Sequence, residues 1–307
     1  MTLEQVVAKM EKKPYMIDMG KGKLSKWLKC SKEDIVKAKK IIRAKKKTGR
    51  LPKILIYDIE TSPMIGYVWG HWQQNISLSQ TIQNSIMLTW SAKWLYDDKI
   101  YSDKVTPSEA LKLDDGRVCK SLWNIIHEAD IVIAHHGDKF DIPMMNSRFI
   151  INELPPYSVT DSIDTKKVAS RTFRFASNKL DALAGYFGFG QKIKTDFDLW
   201  KGCMEGDQKS IDDMETYNIQ DVKVLEEVYL KLRPYIKAHP NVGLYLESDK
   251  PVCPSCGSHN IKTMSKDYYT PTGRYTTYQC ECSAISRCRT HNMNKEKRSV
   301  LLTSSAK

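Results

Sequence analysis

The sequence of 307 residues has no apolar run of the length that a membrane-spanning helix needs, about 18 residues. Its first residues, MTLEQVVAKMEKK, lack the apolar stretch of a secretory signal peptide. We therefore expect a cytoplasmic protein with no membrane partner. In a reducing compartment the eight cysteines are expected to be metal ligands or thiols rather than disulfides.

Acidic residues are scarce at both ends of the chain. Residues 1–50 carry 16 Lys and Arg against 5 Asp and Glu, a net charge of +11. Residues 251–307 carry 9 against 3, a net charge of +6, and the total of +12 leaves −5 for residues 51–250. Basic ends on an acidic body favour a polyanionic partner such as nucleic acid. The alternative is that the lysine-rich ends are only solvated. The candidate contacts in the first segment are Lys45, Lys46 and Lys47.

Three regions are predicted from composition and periodicity: a basic helical region (1–50), a central domain (51–248), and a cysteine-containing module with a basic tail (249–307). In the first, Ser31 followed by acids predicts the cap of a helix over 33–46, after a shorter helix over 22–29. This pair is either a helix-turn-helix-like unit or a plain basic helical arm.

The central region predicts an α/β domain. KILIYDIETS (53–62) is typical of a buried central strand, and MIGYVWG and IMLTWSAKWLY predict two further strands of an antiparallel meander. Strands then alternate with helices, the longest of them over 208–232. We expect a mixed sheet flanked by helices.

Carboxylates recur at the ends of these elements. Asp58 and Glu60 are two residues apart on one strand, so their side chains share a face. Asp141 follows a second apolar strand, where it either joins these acids or caps a helix. Asp221 lies on the apolar stripe of the 208–232 helix, where an unpaired carboxylate would be costly to bury. Such acids converging at one end of a sheet predict a site for hard divalent cations.

Three motifs resemble those of a known family. YDIET resembles the D-x-E first motif of the DEDD superfamily of 3′–5′ exonucleases. HHGDKFDIPMMNSR resembles the second motif in exonuclease domains of family B DNA polymerases and their stand-alone relatives. YNIQD resembles the Y-x3-D third motif of the tyrosine (DEDDy) subclass, and the histidine that defines the other subclass is replaced by Thr216. The resemblance covers about residues 50–235 and implies an RNase H-like fold.

The resemblance also implies roles for the matching residues and two Mg²⁺ or Mn²⁺ ions as cofactors. It implies that Asp58 bridges the two ions, that Glu60 and Asp221 hold the ion that activates water, that Asp141 supports the second ion, and that Tyr217 positions the nucleophile.

Candidate substrate contacts lie near these motifs. Phe140 belongs to the Phe-Asp pair of the second motif, and His136 stands in a loop where relatives often carry Asn. Arg171 either clamps the substrate end together with Phe173 and Phe175 or packs with them in the core.

Two further acids are weaker candidates. Asp138 is an alternative to Asp141 but has no Phe before it. Asp164, near a strand end, is expected either to contact the metal ligands without binding the metal itself or to cap a helix.

The C-terminal cysteines resemble a zinc ribbon. Cys253 and Cys256 form a C-P-S-C-G knuckle, and Cys280 and Cys282 follow as a C-x-C pair in place of the usual C-x2-C. The sequence leaves the fourth ligand open between Cys282, Cys288 and His291.

The function most consistent with these observations is a two-metal 3′–5′ exonuclease acting on single-stranded DNA. By analogy it would act in replication, repair or recombination in a bacterium or a phage-infected bacterial cell, with a replication or recombination protein as a further candidate partner. The alternatives are an RNA 3′–5′ exonuclease and, from another class, a non-catalytic nucleic-acid-binding adaptor.

Overall fold

A computed structural model describes residues 1–11, 16, 19–46, 50–158, 161–190 and 195–303, with the side chains of 11 and 40–46 excepted. The contacts between Cα atoms divide the chain into two compact units. The first comprises 1–51 and 241–261, and the second 52–240 and 262–307. The predicted division at 50 and 248 stays a prediction.

The N-terminal part of the first unit consists of three helices: α1 (Leu3–Glu11), α2 (Lys21–Leu28) and α3 (Lys32–Lys46). The Ser31 hydroxyl accepts a hydrogen bond from the backbone N–H of Asp34 at 2.9 Å, which confirms the predicted cap. The helices enclose a small apolar core of their own, formed by Val6, Val7, Met10, Met16, Leu24, Leu28, Ile35 and Ala38.

The three candidate lysines fall at the end of α3. Lys47 lies outside the described residues, and for Lys45 and Lys46 only the backbone is described. Their proposed contact with nucleic acid therefore stays a prediction.

The second unit is built on a five-stranded mixed sheet, as predicted. Its strand order is β5-β4-β1-β6-β7, with β1 antiparallel to β4 and parallel to β6. Two short strands, β2 and β3, pair separately. The strands of this region are β1 (Ile54–Thr61), β2 (Ile65–Gly66), β3 (Thr81–Gln83), β4 (Met87–Trp94), β5 (Ile100–Lys104), β6 (Ile131–Ala134) and β7 (Asp161–Asp164).

The central position of β1 follows from its sequence. Leu55, Ile56 and Tyr57 are each 0% exposed, so both faces of the strand are covered. The first half of the strand pairs with β4 and β6, and its C-terminal half pairs with β4. Asp58 lies opposite Ser91, and Glu60 opposite Thr89.

One predicted strand was wrong. MIGYVWG does not join the sheet. Only Ile65–Gly66 is extended, in the small β2–β3 hairpin, while the meander is completed by β5. The aromatic and β-branched residues that suggested a strand are exposed here, because this segment projects from the sheet instead of packing on it.

Seven helices flank the sheet in this unit. They are α4 (Pro107–Lys112), α5 (Gly116–Ile126), α6 (Asp141–Ile151), α7 (Thr165–Thr172), α8 (Leu180–Phe187), α9 (Phe197–Met204) and α10 (Gln208–Leu232). The bounds predicted for α10 are confirmed. No helix in the described ranges has both the length and the apolar character of a membrane span.

The C-terminal region has little apolar core and consists of short strands and turns. A hairpin (β9–β10) is followed by a three-stranded sheet of order β12-β11-β8. The elements are β8 (Ile261–Thr263), β9 (Tyr268–Thr270), β10 (Gly273–Tyr275), β11 (Thr277–Cys280), β12 (Ile285–Arg287) and α11 (Lys295–Ser299).

A buried ion pair joins the start of α5 to α6, and a backbone hydrogen bond to the same carboxylate ties both to the start of β4. Asp115, 1% exposed, accepts hydrogen bonds from Arg148 Nε at 2.6 Å and from the Met87 N–H at 2.8 Å. Asn152 Nδ2 donates a further one at 2.8 Å. Burial raises the pKa of Asp115, but these donors outweigh burial and hold that pKa below its ordinary value.

Replacing Asp115 by Ala should destabilise the protein by about 3–5 kcal/mol at neutral pH, because it leaves the buried Arg148 charge without its partner. The difference from wild type should shrink in acid. The folded-state pKa is lowered, so the carboxylate contributes stability above its ordinary pKa of about 3.9 and loses it as pH falls through the folded-state value.

Denaturant unfolding at several pH values measures this effect. Glu128→Ala, which removes an exposed ion pair with Lys53, is the control and should change stability by less than about 1 kcal/mol. Equal effects of the two substitutions would contradict the interpretation.

Candidate active site

Three carboxylates meet at the C-terminal end of β1. Asp58 and Glu60 come from the strand and Asp221 from α10, and one oxygen of each lies within 4.8 Å of the others. Asp221 is 4% exposed, whereas the two strand acids are half-buried. Negative charges this close repel one another strongly in a partly buried place, and a divalent cation relieves that repulsion. The residues therefore fit a metal ion.

Helix α10 is held against the sheet by ion pairs along one side. Lys93 on β4 pairs with Glu226. Lys104 on β5 pairs with Glu215 at 2.7 Å, and Ser102 donates a hydrogen bond to the same carboxylate at 2.7 Å. These contacts lie on both sides of Asp221 along the helix, so they fix its distance from β1.

Asp141 lies beside this group, at the first position of α6. Its Oδ1 accepts a hydrogen bond from the Ile59 N–H at 3.3 Å, which ties the start of α6 to β1. The N-cap residue of α6 is Phe140, which makes no capping hydrogen bond, and the Asp141 carboxylate accepts one from its own backbone N–H. The pKa of Asp141 is raised to about 7: burial and, to a lesser degree, the charge of Asp164 raise it, while hydrogen bonds from backbone N–H groups lower it in part.

An asparagine that the sequence reasoning missed contacts the site directly. Asn218, 0% exposed, donates a hydrogen bond from Nδ2 to Asp58 Oδ2 at 2.7 Å. Its own Oδ1 is buried without a hydrogen-bond partner among the described residues. A buried amide held at such a cost orients the Asp58 carboxylate. The sequence feature that could have predicted this contact is the position of Asn218 one helical turn before Asp221.

The four acids line one open cleft of about 840 Å³. Two lysines missed by the sequence reasoning, Lys166 and Lys179, line it as well. Their ammonium groups bring positive charge into a cleft that the carboxylates make acidic. Phe140, a predicted substrate contact, also lines the cleft and is 41% exposed.

His135 supports the cleft wall. Its Nδ1 and Nε2 lie 2.9 Å from Thr165 Oγ1 and 3.0 Å from the Asn178 carbonyl oxygen. Because the carbonyl only accepts, Nε2 carries the proton and Nδ1 accepts from the hydroxyl. Burial lowers the pKa of His135 to about 4, so the ring is neutral at pH 7 and joins neighbouring loops without adding charge.

Three other candidate residues, Tyr217, Arg171 and His136, are not among the described residues that line the cleft. Tyr217 is 5% exposed and packs edge-on against Trp200, with ring centroids 6.2 Å apart. Arg171 lines a different cavity, of about 440 Å³. His136 has a left-handed backbone (φ 73°), and its N–H donates to Asp164 Oδ1 at 3.0 Å. Neither His136 nor Arg171 is among the described residues that line the metal cleft, and their substrate roles stay predictions.

The two weaker acids have structural partners. Asp164 caps α7 by accepting from the Lys167 N–H at 3.1 Å, as expected for one of its two interpretations. Asp138 pairs with Lys167 Nζ at 2.8 Å. Phe173 and Phe175 stack on each other with centroids 5.1 Å apart, which favours packing over a substrate clamp.

The C-terminal cysteines sit on tight turns. The Gly257 N–H donates to the Cys253 carbonyl at 2.9 Å, with Gly257 at φ 76°, and the Ser283 N–H donates to the Cys280 carbonyl at 2.9 Å, with Ser283 at φ 69°. Cys253 and Cys256 belong to the first unit, and Cys280 and Cys282 to the second. Each pair is placed on one tight turn, which is compatible with the knuckles of a zinc module.

Comparison with known families agrees with the fold. Residues 100–233 match the family model described as RNase_H superfamily. This span starts at β5 and includes Asp141, Tyr217 and Asp221, but not Asp58 and Glu60 on β1. The sheet order, the flanking helices and this match over part of the chain agree with an RNase H-like fold. A search of curated proteins finds no match.

A solved structure with similarity to this chain is the family B DNA polymerase from the hyperthermophilic archaeon Pyrobaculum calidifontis. The sequence identity is 15% and the TM-score 0.46, over 61% of this chain and 25% of the polymerase. This chain thus matches only a quarter of the polymerase. At this TM-score the likeness has no weight for function.

Replacing Asn218 by Ala should weaken Mn²⁺ binding by about 10- to 100-fold, because Asp58 would lose the group that orients it. Titration calorimetry gives the affinity. Thr216→Ala, an exposed substitution on the same helix, should leave it unchanged. Wild-type affinity in the Asn218 variant, with the fold intact by circular dichroism, would show that Asn218 only packs.

Proposed function

We propose that this protein is a metal-dependent 3′–5′ exonuclease that hydrolyses phosphodiesters at the ends of single-stranded DNA. The observation that carries the proposal is the meeting of Asp58, Glu60 and Asp221 within 4.8 Å in an open cleft that Asp141 also lines. An adaptor that only binds nucleic acid has no need to hold carboxylates together where they repel both one another and the phosphates. This argues for catalysis over the non-catalytic alternative.

We assign the four carboxylates to two metal ions. Asp58, Glu60 and Asp221 would hold one Mg²⁺ or Mn²⁺ ion, and Asp58 with Asp141 would hold a second. Such a pair lowers the pKa of water and stabilises the charge on the departing 3′ oxygen. The hydrogen bond from Asn218 to Asp58 supports this assignment, because it fixes the orientation of the Asp58 carboxylate.

The remaining cleft residues would bind the substrate end. Lys166 and Lys179 offer cations to the phosphates, and Phe140 offers a ring on which a terminal base can stack. Tyr217, one turn before Asp221, would orient the attacking water. Its burial in the structure means that this role requires its hydroxyl to face the site when substrate is bound.

DNA is favoured over RNA because the HHGDKFDIPMMNSR segment resembles the polymerase-type second motif. A role in DNA replication, repair or recombination follows from the same resemblance. RNA is the second candidate substrate. The contacts proposed for the cleft residues are to phosphates and bases, which DNA and RNA share, and none is assigned to the 2′-hydroxyl that distinguishes them.

The test uses 5′-labelled single-stranded DNA and RNA of the same sequence with Mg²⁺ or Mn²⁺. We expect a ladder that shortens from the 3′ end, faster on DNA. Asp58→Ala should abolish it, and Tyr217→Phe should slow it by about 10²- to 10⁴-fold, the range for positioning and proton-transfer groups. Lys223→Ala, exposed on α10, is the control and should behave as wild type.

The outcome separates the alternatives. Faster shortening of RNA would assign the RNA exonuclease. Absence of cleavage with either metal, together with retained binding of the strands, would contradict catalysis and favour the adaptor.

We also propose that the C-terminal module holds one Zn²⁺ through Cys253, Cys256, Cys280 and Cys282. The proposal is supported by the C-x2-C and C-x-C spacing of the two pairs and by the backbone turn at each pair. In this assignment Cys288 and His291 are not ligands. A module with so few apolar residues would gain much of its folding free energy from the metal.

Metal analysis of the purified protein should find about one zinc per chain. Cys256→Ser should lose the metal and expose the module to proteolysis. Cys288→Ser is the matched control and should keep both zinc and protease resistance. Loss of zinc in the Cys288 variant would instead move the fourth ligand to that residue.

A further inference from the structure

An uncharged segment follows the metal-binding strand directly. Residues 62–92 contain no Asp, Glu, Lys or Arg, in a chain of which 27% is charged. Within it, residues 63–85 form a hairpin that we call the flap. Its rings are unusually exposed: Trp69 is 98% exposed, Trp72 82% and Tyr67 71%. Such aromatic exposure is costly in water and marks a binding surface.

The flap is well built at its root. The Ser62 N–H donates to the Ile86 carbonyl at 2.9 Å, and the Ile86 N–H donates to Ser62 Oγ at 3.0 Å. Further out, the Tyr67 N–H donates to the Gln80 carbonyl at 2.9 Å, and Gln80 Nε2 returns a bond to the Tyr67 carbonyl at 3.1 Å. These bonds hold the two sides of the hairpin together, so the exposed rings stand at the end of an ordered arm.

The flap root is continuous with the metal cleft. Thr61, Ser62 and Pro63 line a groove of about 470 Å³. Thr195 lines this groove and also the metal cleft. A strand leaving the cleft along this groove therefore passes the root of the flap. The groove also contains Phe197, whose ring is 66% exposed.

We propose that the flap is a base-stacking arm, on which Trp69 and Trp72 hold unpaired bases of the single strand whose end lies in the metal cleft. This inference rests on the proposed function and adds a substrate-binding surface to it.

The chemistry of the flap favours a nucleic-acid strand over a protein as its occupant. Trp rings stack on any base, and the neighbouring amides Gln73, Gln74 and Asn75 can hydrogen-bond to base edges. The absence of carboxylates removes repulsion of the phosphates. The absence of Lys and Arg leaves the stacking contribution insensitive to salt, in contrast to phosphate contacts.

Binding is measured first without cleavage, in the absence of added Mg²⁺ and Mn²⁺, with a fluorescent oligothymidylate of about 15 nucleotides, the upper range of a single-strand site. The double variant Trp69→Ala/Trp72→Ala should raise Kd by at least about fivefold, the low end for loss of one stacked base. Trp69→Phe/Trp72→Phe should restore most of the affinity, because a ring remains. Leu78→Ala removes a side chain that is 91% exposed on the same flap and should change nothing.

Hydrolysis then separates this inference from the proposed function. A nitrophenyl ester of thymidine monophosphate is too short to reach the flap, so the alanine variant should cleave it at the wild-type rate, while its KM for the oligonucleotide rises. Failure of the wild type to cleave either substrate would overturn the exonuclease proposal, and the binding experiment without added Mg²⁺ or Mn²⁺ would still decide on the flap.

An unchanged Kd in the alanine double variant would overturn the stacking arm. If that variant also changed oligomeric state in size-exclusion chromatography with light scattering, the flap would be an interface between copies of the chain instead.

Discussion

The repulsion between carboxylates at the end of β1 is the constraint on which the rest of the second unit depends. Asp58, Glu60 and Asp221 would move apart if either β1 or α10 were free to shift. The strand is fixed by partners on both edges. The helix is fixed by its ion pairs with β4 and β5. The strand pairings and the ion pairs thus hold together three carboxylates that repel one another.

The arrangement of charge around this site explains how an acidic centre can accept an anionic substrate. The chain carries its excess of positive charge at its two ends, while residues 51–250 are net negative. Within that acidic body, Lys166 and Lys179 line the same cleft as the carboxylates. Bound cations would reverse the sign of the charge around the carboxylates, so that phosphates would meet positive charge from the cations and from the lysines.

Sequence reasoning succeeded where local periodicity decides the outcome. Alternation along β1 placed Asp58 and Glu60 on one face, and the helical stripe predicted the bounds of α10. It failed where distant pairing decides. Asn218 and Asp58 are 160 residues apart in sequence, and nothing local shows that they touch. The segment MIGYVWG has the composition of a strand, but composition does not show whether a neighbouring strand exists to pair with it.

The turn between Tyr217 and Asp221 shows how much one helical turn can contribute to such a site. Residues 217, 218 and 221 fall within one inward-facing sector of α10. Tyr217 packs in the core, Asn218 orients Asp58, and Asp221 adds a third carboxylate to the cluster. Because these contacts come from one turn of the helix, a displacement of α10 would disturb the Asn218 hydrogen bond and the Asp221 carboxylate together. The ion pairs at Glu215 and Glu226, on either side of this turn, therefore have a consequence beyond stability, since they fix the geometry of the metal site.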